Sequence, residues 1–499
     1  MSPHGADSPV PAHAPVPDRA PAGSREGHGP PDRPDPRRWV LLALVCAGQF
    51  MLVLDVTVVN VALPDMAADL HLGRTTLTWV VTAYTLCLGG LMLLGGRLTD
   101  AFGARRTLLA GLAVFTAASL AAGLAQNATV LIGGRIAQGV GAALLSPAAL
   151  SLVTTTFRGE ERNRALGVWA AIGGTGSALG VLLGGALTAG PGWSWVFFVN
   201  VPVGLVLLVA VPLIVPRSAP QAGARLDVPG ALLVTAGTGS LIYGLVRAGD
   251  TGWGSAAALL PVLGAVLLYA GFALVERVAK APLMDLRMFT RRPVLAGAFL
   301  MLIATGLLIS YFFLGSVYLQ QVRAFGPMRT GLVFLPVAVA VGIGAHLGSR
   351  LVGRIGSRAT AVGGMVTAAA AGSVPLTGLG QGGSVYGALL PGLVVASLGI
   401  GAVFVTATTT ALAMVGHHEA GLASGVVNTF HEMGGSVGVA VVSTVAAAGI
   451  GAAGTDGGAA ASFGDAFTVC AVAAGVSALV ALVLVPRGKP QPAGGPHVH

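Results

Sequence analysis

From Trp39 to about residue 485 the chain is a succession of apolar segments, each near the roughly 20 residues that an α-helix needs to cross a bilayer. Fourteen can be placed, at 39–63, 77–96, 107–125, 129–153, 163–189, 195–215, 227–246, 256–275, 294–320, 330–348, 360–379, 385–414, 421–448 and 464–485. Inside a membrane backbone polar groups must be satisfied within the protein, and apolar runs of about 20 residues, twice the length of a barrel strand, do so as helices. With 54% hydrophobic and only 9% charged residues, the chain is too apolar for a soluble fold. It reads as an all-α polytopic membrane protein.

The basic residues orient it. Of the 28 Lys and Arg residues, 23 fall in loops and tails on one side of the predicted spans. Only Arg74, Arg247, Arg323 and Arg329 fall on the other side, and Arg135 lies within a span. Basic loops stay in the cytoplasm, so both termini are expected there, in a multi-pass protein of the cell membrane. The same distribution explains the net charge of +9 without nucleic acid as a partner. Residues 1–38, rich in Pro, Ala and Gly and without a signal-peptide core, read as a disordered cytoplasmic tail. Cys46, Cys87 and Cys470 lie in apolar segments at no metal-ligand spacing and read as packing residues; no metal site is expected.

A faint repeat divides the chain. Gly95, Leu98, Gly103 and Arg105 recur 253 residues later as Gly348, Leu351, Gly356 and Arg358, each set following a helix on the basic side. Repeated halves are a signature of transporters that alternate access around a central site. The expected organisation is a six-helix half over 39–216, a two-helix insert and linker over 217–292, a second six-helix half over 293–486, and a tail over 487–499.

Asp55 is the anomaly in the first span. A carboxylate among Val and Leu at membrane depth must face a cavity, find a partner or take up a proton, and intramembrane charges usually mark pathways. Asp55 is therefore a candidate proton carrier, with a structural hydrogen-bonded carboxylate as the plainer reading. Arg135 in the fourth span cannot discharge by losing its proton, so it needs a counter-charge. In the thirteenth span His431 and Glu432 add two titratable groups, suited either to proton coupling or to binding a cationic substrate. His346, alone in the tenth span, reads as a packing histidine. His417, His418 and Glu419 have no partners at metal-ligand spacing.

Six stretches carry a resemblance. Gly96, Arg97, Leu98, Thr99, Asp100, Ala101, Phe102, Gly103, Ala104, Arg105 and Arg106 resemble the signature loop of the major facilitator superfamily. Leu54 to Pro64, around Asp55, is similar to the first-helix motif of that superfamily's fourteen-helix drug:proton antiporter branch. Leu131 to Gly141, containing Arg135 and Gln138, resembles the branch's second motif, whose Arg is implicated in proton coupling. In the fifth span Gly167, Gly176, Gly180 and Gly184 follow the antiporter motif, but Val181 stands where the family usually has Pro. Trp193 to Gly204 resembles the branch's Trp-rich entry to the sixth helix. Gly421 to Gly435 is similar to a stretch that often carries Arg-Gln in place of His431 and Glu432.

The resemblance implies a major facilitator fold with two six-helix halves plus a central helix pair, fourteen transmembrane helices in all. It implies a proton-coupled secondary exporter of amphipathic organic compounds such as drugs or antibiotics, working by alternating access in the lipid bilayer, as a monomer. Asp55, Arg135, Glu432 and His431 would couple protons. Gly96, Asp100, Gly103, Arg105 and Arg106 would form a cytoplasmic gate, with Asp100 in an ion network with both arginines. Asn60, Tyr84, Gln138, Trp169, Tyr311 and Phe334 are candidate substrate-cavity residues. With no phosphate-binding loop in the sequence, the energy source is expected to be the proton gradient, with no cofactor and no enzymatic reaction. A transporter dedicated to one metabolite is the alternative on the same fold, and a non-transporting membrane sensor a more distant one.

Overall fold

The computed structural model describes residues 37–157, 159–215, 227–279, 282, 286–375, 384–412, 420–447 and 456–487. Their order is α1 (Arg37–Asp69), α2 (Arg74–Phe102), α3 (Ala104–Gly123), α4 (Ala128–Thr156), α5 (Gly159–Ala189), α6 (Trp195–Phe198), α7 (Asn200–Ile214), α8 (Val228–Thr251) and α9 (Ala256–Val278). There follow α10 (Arg292–Val317), α11 (Pro327–Ile355), α12 (Ser357–Gly372), α13 (Leu390–Leu412), α14 (Ala420–Val445) and α15 (Asp456–Leu484). Val199 keeps helical dihedrals, so α6 and α7 form one span. Single π-turns extend α10 at Tyr318–Val322 and lead into α13 at Val385–Leu389.

A helix stands at each of the fourteen expected positions. Among the described residues, 11 spans are long and apolar enough to cross a membrane. The others are α5, whose described apolar part is Leu179–Ala189, α14, and α12 with only 16 residues. Helix ends differ from expectation. The first helix runs through Pro64 to Asp69 instead of stopping at 63, as Pro within a membrane helix removes one hydrogen bond that neighbouring helices can offset. The twelfth stops at Gly372, seven residues short.

The signature loop is almost entirely helix. The chain reverses at Gly103 alone, with φ 88°, between the end of α2 and the start of α3. A side chain there would be strained, so glycine is required by the backbone. Gly356, with φ 86°, makes the same turn between α11 and α12. The repeat read from the sequence is thus a repeat of structure. Arg105 donates from Nη2 to the Pro212 carbonyl at 2.8 Å, and Arg358 donates from Nε to the Val485 carbonyl at 2.6 Å. In each case the arginine after the turn ties the helix that follows it to the end of a later helix, α7 or α15.

Packing sorts the helices. In the N-terminal part α1 lies on α5, α4 on α2 and α3, and α7 on α3; in the C-terminal part α13 lies on α10, α11 and α12, and α15 on α12 and α10. The two parts meet where α5 packs on α11, α2 on α14 and α1 on α10. At the end of the bundle that holds Asp69 the seam is closed. There Gln320 Nε2 donates to the Val61 carbonyl at 2.7 Å, and Gly185 and Gly331 let α5 and α11 touch through backbone. Helix α8 lies along both α2 and α14, with Ile242 and Val246 buried against Leu86 and Ala440. Helix α9 packs mainly on α8, and Leu260, Leu267 and Leu274 on it are more than 60% exposed, as suits lipid contact.

The antiporter-motif glycines set the α1–α5 distance. A Cβ on Gly180 would run into Thr57 Oγ1 and lie 3.3 Å from the Leu54 carbonyl, and one on Gly184 would lie 3.0 Å from Val58 backbone. Gly176 faces Val53 and Phe50. Gly167 is on the same helix, with its surroundings outside the described residues. Val181, fully buried, continues α5 without a break, and its carbonyl lies against Gly331. Gly180→Val is expected to force α5 off α1 at a cost of about 1–3 kcal/mol. A lowered unfolding midpoint in detergent, partly restored by Thr57→Ala, would be the result; an unchanged midpoint would refute the close fit.

Candidate functional site

Asp55 and Arg135 meet. Both are buried, at 0% and 1% exposure, and Arg135 Nη1 is paired with Asp55 Oδ2. The pair is cradled on every side. Arg135 Nη1 also donates to Gln138 Oε1 at 2.9 Å, and its Nε donates to the Val80 carbonyl at 2.9 Å. Gln138 Nε2 donates to Asp55 Oδ1 at 3.0 Å and to Ser119 Oγ at 2.8 Å, and Asn200 Nδ2 reaches the same Oδ1 at 3.2 Å. Arg135 lies over the Tyr84 ring at 4.4 Å and near that of Phe197 at 5.9 Å. Five helices, α1, α2, α3, α4 and α7, contribute to this one ionic centre. Their convergence is what makes a buried ion pair tolerable, since Arg135 Nε and Nη1 and both Asp55 oxygens have hydrogen-bond partners.

The spacing of Arg135 and Gln138 explains part of the arrangement. Three residues apart on α4, they share a face and reach the same carboxylate. Gly139 lets α4 approach α2 at the Tyr84 carbonyl, which brings Arg135 under the Tyr84 ring. Asn200 and Ser119 were not singled out in the sequence. They are ordinary polar residues in apolar runs, and only the fold brings them to Asp55.

The second centre lies across α2. His431 Nδ1 is 2.7 Å from Thr305 Oγ1 and 3.4 Å from Met301 Sδ on α10, and its ring centroid is 5.5 Å from that of Phe404 on α13. Its Nε2 is 4.0 Å from Glu432 Oε1. These side chains are less enclosed than the first pair, at 39% and 18% exposure. Glu432 presses on α2, for a Cβ at Gly89 would lie 2.6 Å from its own Cβ. One turn away Thr85 Oγ1 and Ser436 Oγ form a hydrogen bond between α2 and α14. Helix α2 therefore carries Tyr84 against Arg135 on one side, and Thr85 and Gly89 against α14 on the other.

Other expected site residues fall elsewhere. Tyr311 and Phe334 are fully buried in the C-terminal core. Tyr311 stacks on Phe467 and meets Gly372, while Phe334 packs on Phe312 and Gly315. An aromatic in an apolar run does not reveal which helix face it occupies. Trp169 is half-buried against the N-terminal core. Asn60 is buried and donates from Nδ2 to the Val56 carbonyl of its own helix at 2.7 Å.

The expected ion network of the signature loop is not formed. Among the described residues Asp100 is exposed and pairs with neither Arg105 nor Arg106, because Arg105 is drawn to the Pro212 carbonyl. Arg97 instead reaches the segment between α9 and α10, donating from Nη2 to the Pro282 carbonyl at 2.6 Å. Gly96 has open space around it. His346 is exposed on α11, not packed. Trp193, expected only as an interface anchor, is buried and donates from Nε1 to Asp69 Oδ2 at 2.8 Å. His417, His418 and Glu419 lie outside the described residues.

The profile of the Major Facilitator Superfamily matches residues 45–439, spanning both centres. The chain belongs to the Major Facilitator Superfamily. It is a membrane transporter and not an enzyme. This superfamily member is 42% identical over 419 residues to the puromycin resistance protein pur8 of Streptomyces alboniger, covering 83% of this chain and 82% of that one. It is 38% identical over 468 residues to the cephamycin export protein CmcT of Amycolatopsis lactamdurans, covering 92% and 94%. In fold it is similar to the crystal structure of a bacterial homolog of the human lysosomal transporter Spinster, with a TM-score of 0.62 at 15% identity, over 90% of this chain and 96% of that one. The all-helical superfamily fold expected from the motifs is thus the observed one.

Proposed function

We propose that this transporter is an antiporter that moves amphipathic organic compounds, antibiotics among them, out of the cell in exchange for protons moving in. One observation carries the reading: two titratable centres, Asp55 with Arg135 and Glu432 with His431, sit on opposite sides of a single helix at the seam between the two parts of the chain. The export and resistance named for its relatives support the direction and the kind of cargo. In this reading the chain is a monomer that crosses the plasma membrane fourteen times with both termini in the cytoplasm. The gradient supplies the energy and no cofactor takes part.

The scheme is competition. From the cytoplasm a lipophilic cation approaches Glu432, His431 and the Phe404 ring, and favours the deprotonated carboxylate. From outside, protons neutralise that carboxylate and release the cargo. Each ligand shifts the inward and outward states only by its differential affinity for them. The Asp55–Arg135 pair, linked to the seam through Tyr84, is the element whose making or breaking distinguishes the states.

The test is proton movement. In everted vesicles with an acid interior, adding ethidium is expected to discharge the pH gradient as the dye accumulates, and an uncoupler should stop accumulation. Dye accumulation that leaves the gradient untouched and survives the uncoupler would refute proton coupling.

A further inference from the structure

Away from both centres, the turn between α11 and α12 and the end of α15 line an open pocket of about 530 Å3. Its walls are of two kinds. Ile355, Val362 and Leu482 form an apolar flank, with Ile355 and Leu482 exposed at 54% and 47%. Arg358 and Arg487 form a basic rim beside Gly356. The bond from Arg358 Nε to the Val485 carbonyl fixes that guanidinium in place. Among the described residues neither arginine has a carboxylate partner. Helix α12 begins at the same place without a side-chain cap, so its first-turn amides find no side-chain acceptor there.

The position matters as much as the charge. The apolar stretch of α15 ends at Leu484, and its preceding residues Leu482 and Val483 are exposed on the flank of the bundle. The pocket therefore straddles the depth at which hydrocarbon gives way to lipid headgroups. A free phosphate ester would use the two arginines and leave the exposed apolar flank against lipid tails. Residues 488–499 carry Lys489, His497 and His499 and no Asp or Glu side chain.

We propose that this pocket binds an anionic phospholipid, the phosphodiester held between Arg358 and Arg487 and an acyl chain laid along Ile355, Val362 and Leu482. Guanidinium groups match phosphate oxygens in geometry as well as charge, and basic pockets at the ends of membrane helices suit anionic headgroups. The site would tie lipid to the α11–α12 turn, which the structural repeat identifies as the partner of the turn at Gly103. In that related turn Arg105 is held on Pro212 in a similar way, but the segment after α7 falls outside the described residues, so the assignment is to the C-terminal turn alone.

The experiment uses full-length protein purified in detergent and native mass spectrometry with phosphatidylglycerol and phosphatidylcholine of identical acyl chains. Phosphatidylglycerol is expected to be retained in preference. The Arg358→Gln/Arg487→Gln double variant should weaken its binding about thirtyfold and Arg487→Gln alone about fivefold, with phosphatidylcholine unchanged in both. The single variant spares the Val485 contact, so it remains readable if the double variant does not fold. Equal retention of the two lipids would overturn the proposal, as would a preference for phosphatidylglycerol that Arg487→Gln leaves intact. Displacement by millimolar glycerol 3-phosphate as effective as that by the lipid would also overturn it, reassigning the pocket to a soluble phosphate ester.

Discussion

Arg135→Gln is expected to destabilise the protein by about 3–5 kcal/mol, because it strands the Asp55 carboxylate in a buried site without its counter-charge. The loss is not of one contact. Arg135 also holds Gln138 and the Val80 carbonyl, and its guanidinium fills the space under Tyr84. Asp55→Asn alone leaves a buried cation with the same problem. The double variant Asp55→Asn/Arg135→Gln replaces two charges by neutral groups that can still hydrogen-bond to Gln138 and Asn200, so it should recover most of the lost stability. Unfolding midpoints of the four proteins in one detergent form the cycle. A double variant as unstable as the singles added together would mean that the two charges do not act as a pair. If the pair also distinguishes the transport states, the recovered double variant will fold yet fail to pump.

The second large effect concerns Glu432. One proton per cycle working across one pH unit sustains about a tenfold concentration ratio of cargo. Glu432→Gln keeps the shape, and the contact with Gly89 is through Cβ, so the α2–α14 seam is expected to survive. The variant should lose about tenfold in steady-state accumulation per pH unit while still exchanging labelled for unlabelled dye across vesicles without a gradient. The His431→Gln variant, which leaves the carboxylate in place, is expected to keep the pH dependence and change the affinity for cationic dyes. Undiminished accumulation by Glu432→Gln would move the coupling to Asp55 alone.

The parts of this architecture that the sequence revealed are those that physics writes in unmistakable residues. A carboxylate in an apolar run and an arginine within another each needed a counter-charge, and they meet; Gln138, expected to line a substrate cavity, instead bonds to both. The repeat at Gly103 and Gly356 was visible because a positive φ leaves few residue choices. What stayed hidden depends on which way a helix is turned. Ser119 and Asn200 carry no charge that would flag them, yet both hold the buried centre together. Tyr311 and Phe334 carry the bulk expected of a cavity wall and are core residues instead. Asp100 stands at the family's spacing from Arg105, but nothing in a linear pattern reveals that the Pro212 carbonyl claims that arginine first. The interface from Thr85 to Ser436 could not be read at all, since it joins residues 351 positions apart.

Helix α8 touches both α2 and α14, with Thr235 against Gly90 on one side and Thr444 Oγ1 donating to the Leu245 carbonyl on the other at 2.6 Å. In the proposed alternating cycle, a helix clamped to two bodies that rotate apart is no idle spacer. It would have to slide on one of them at every turnover, and the friction of that sliding contact would enter the rate of transport. The segment between the two halves has thereby become a splint across the joint, and its smallest residues set how freely the joint bends.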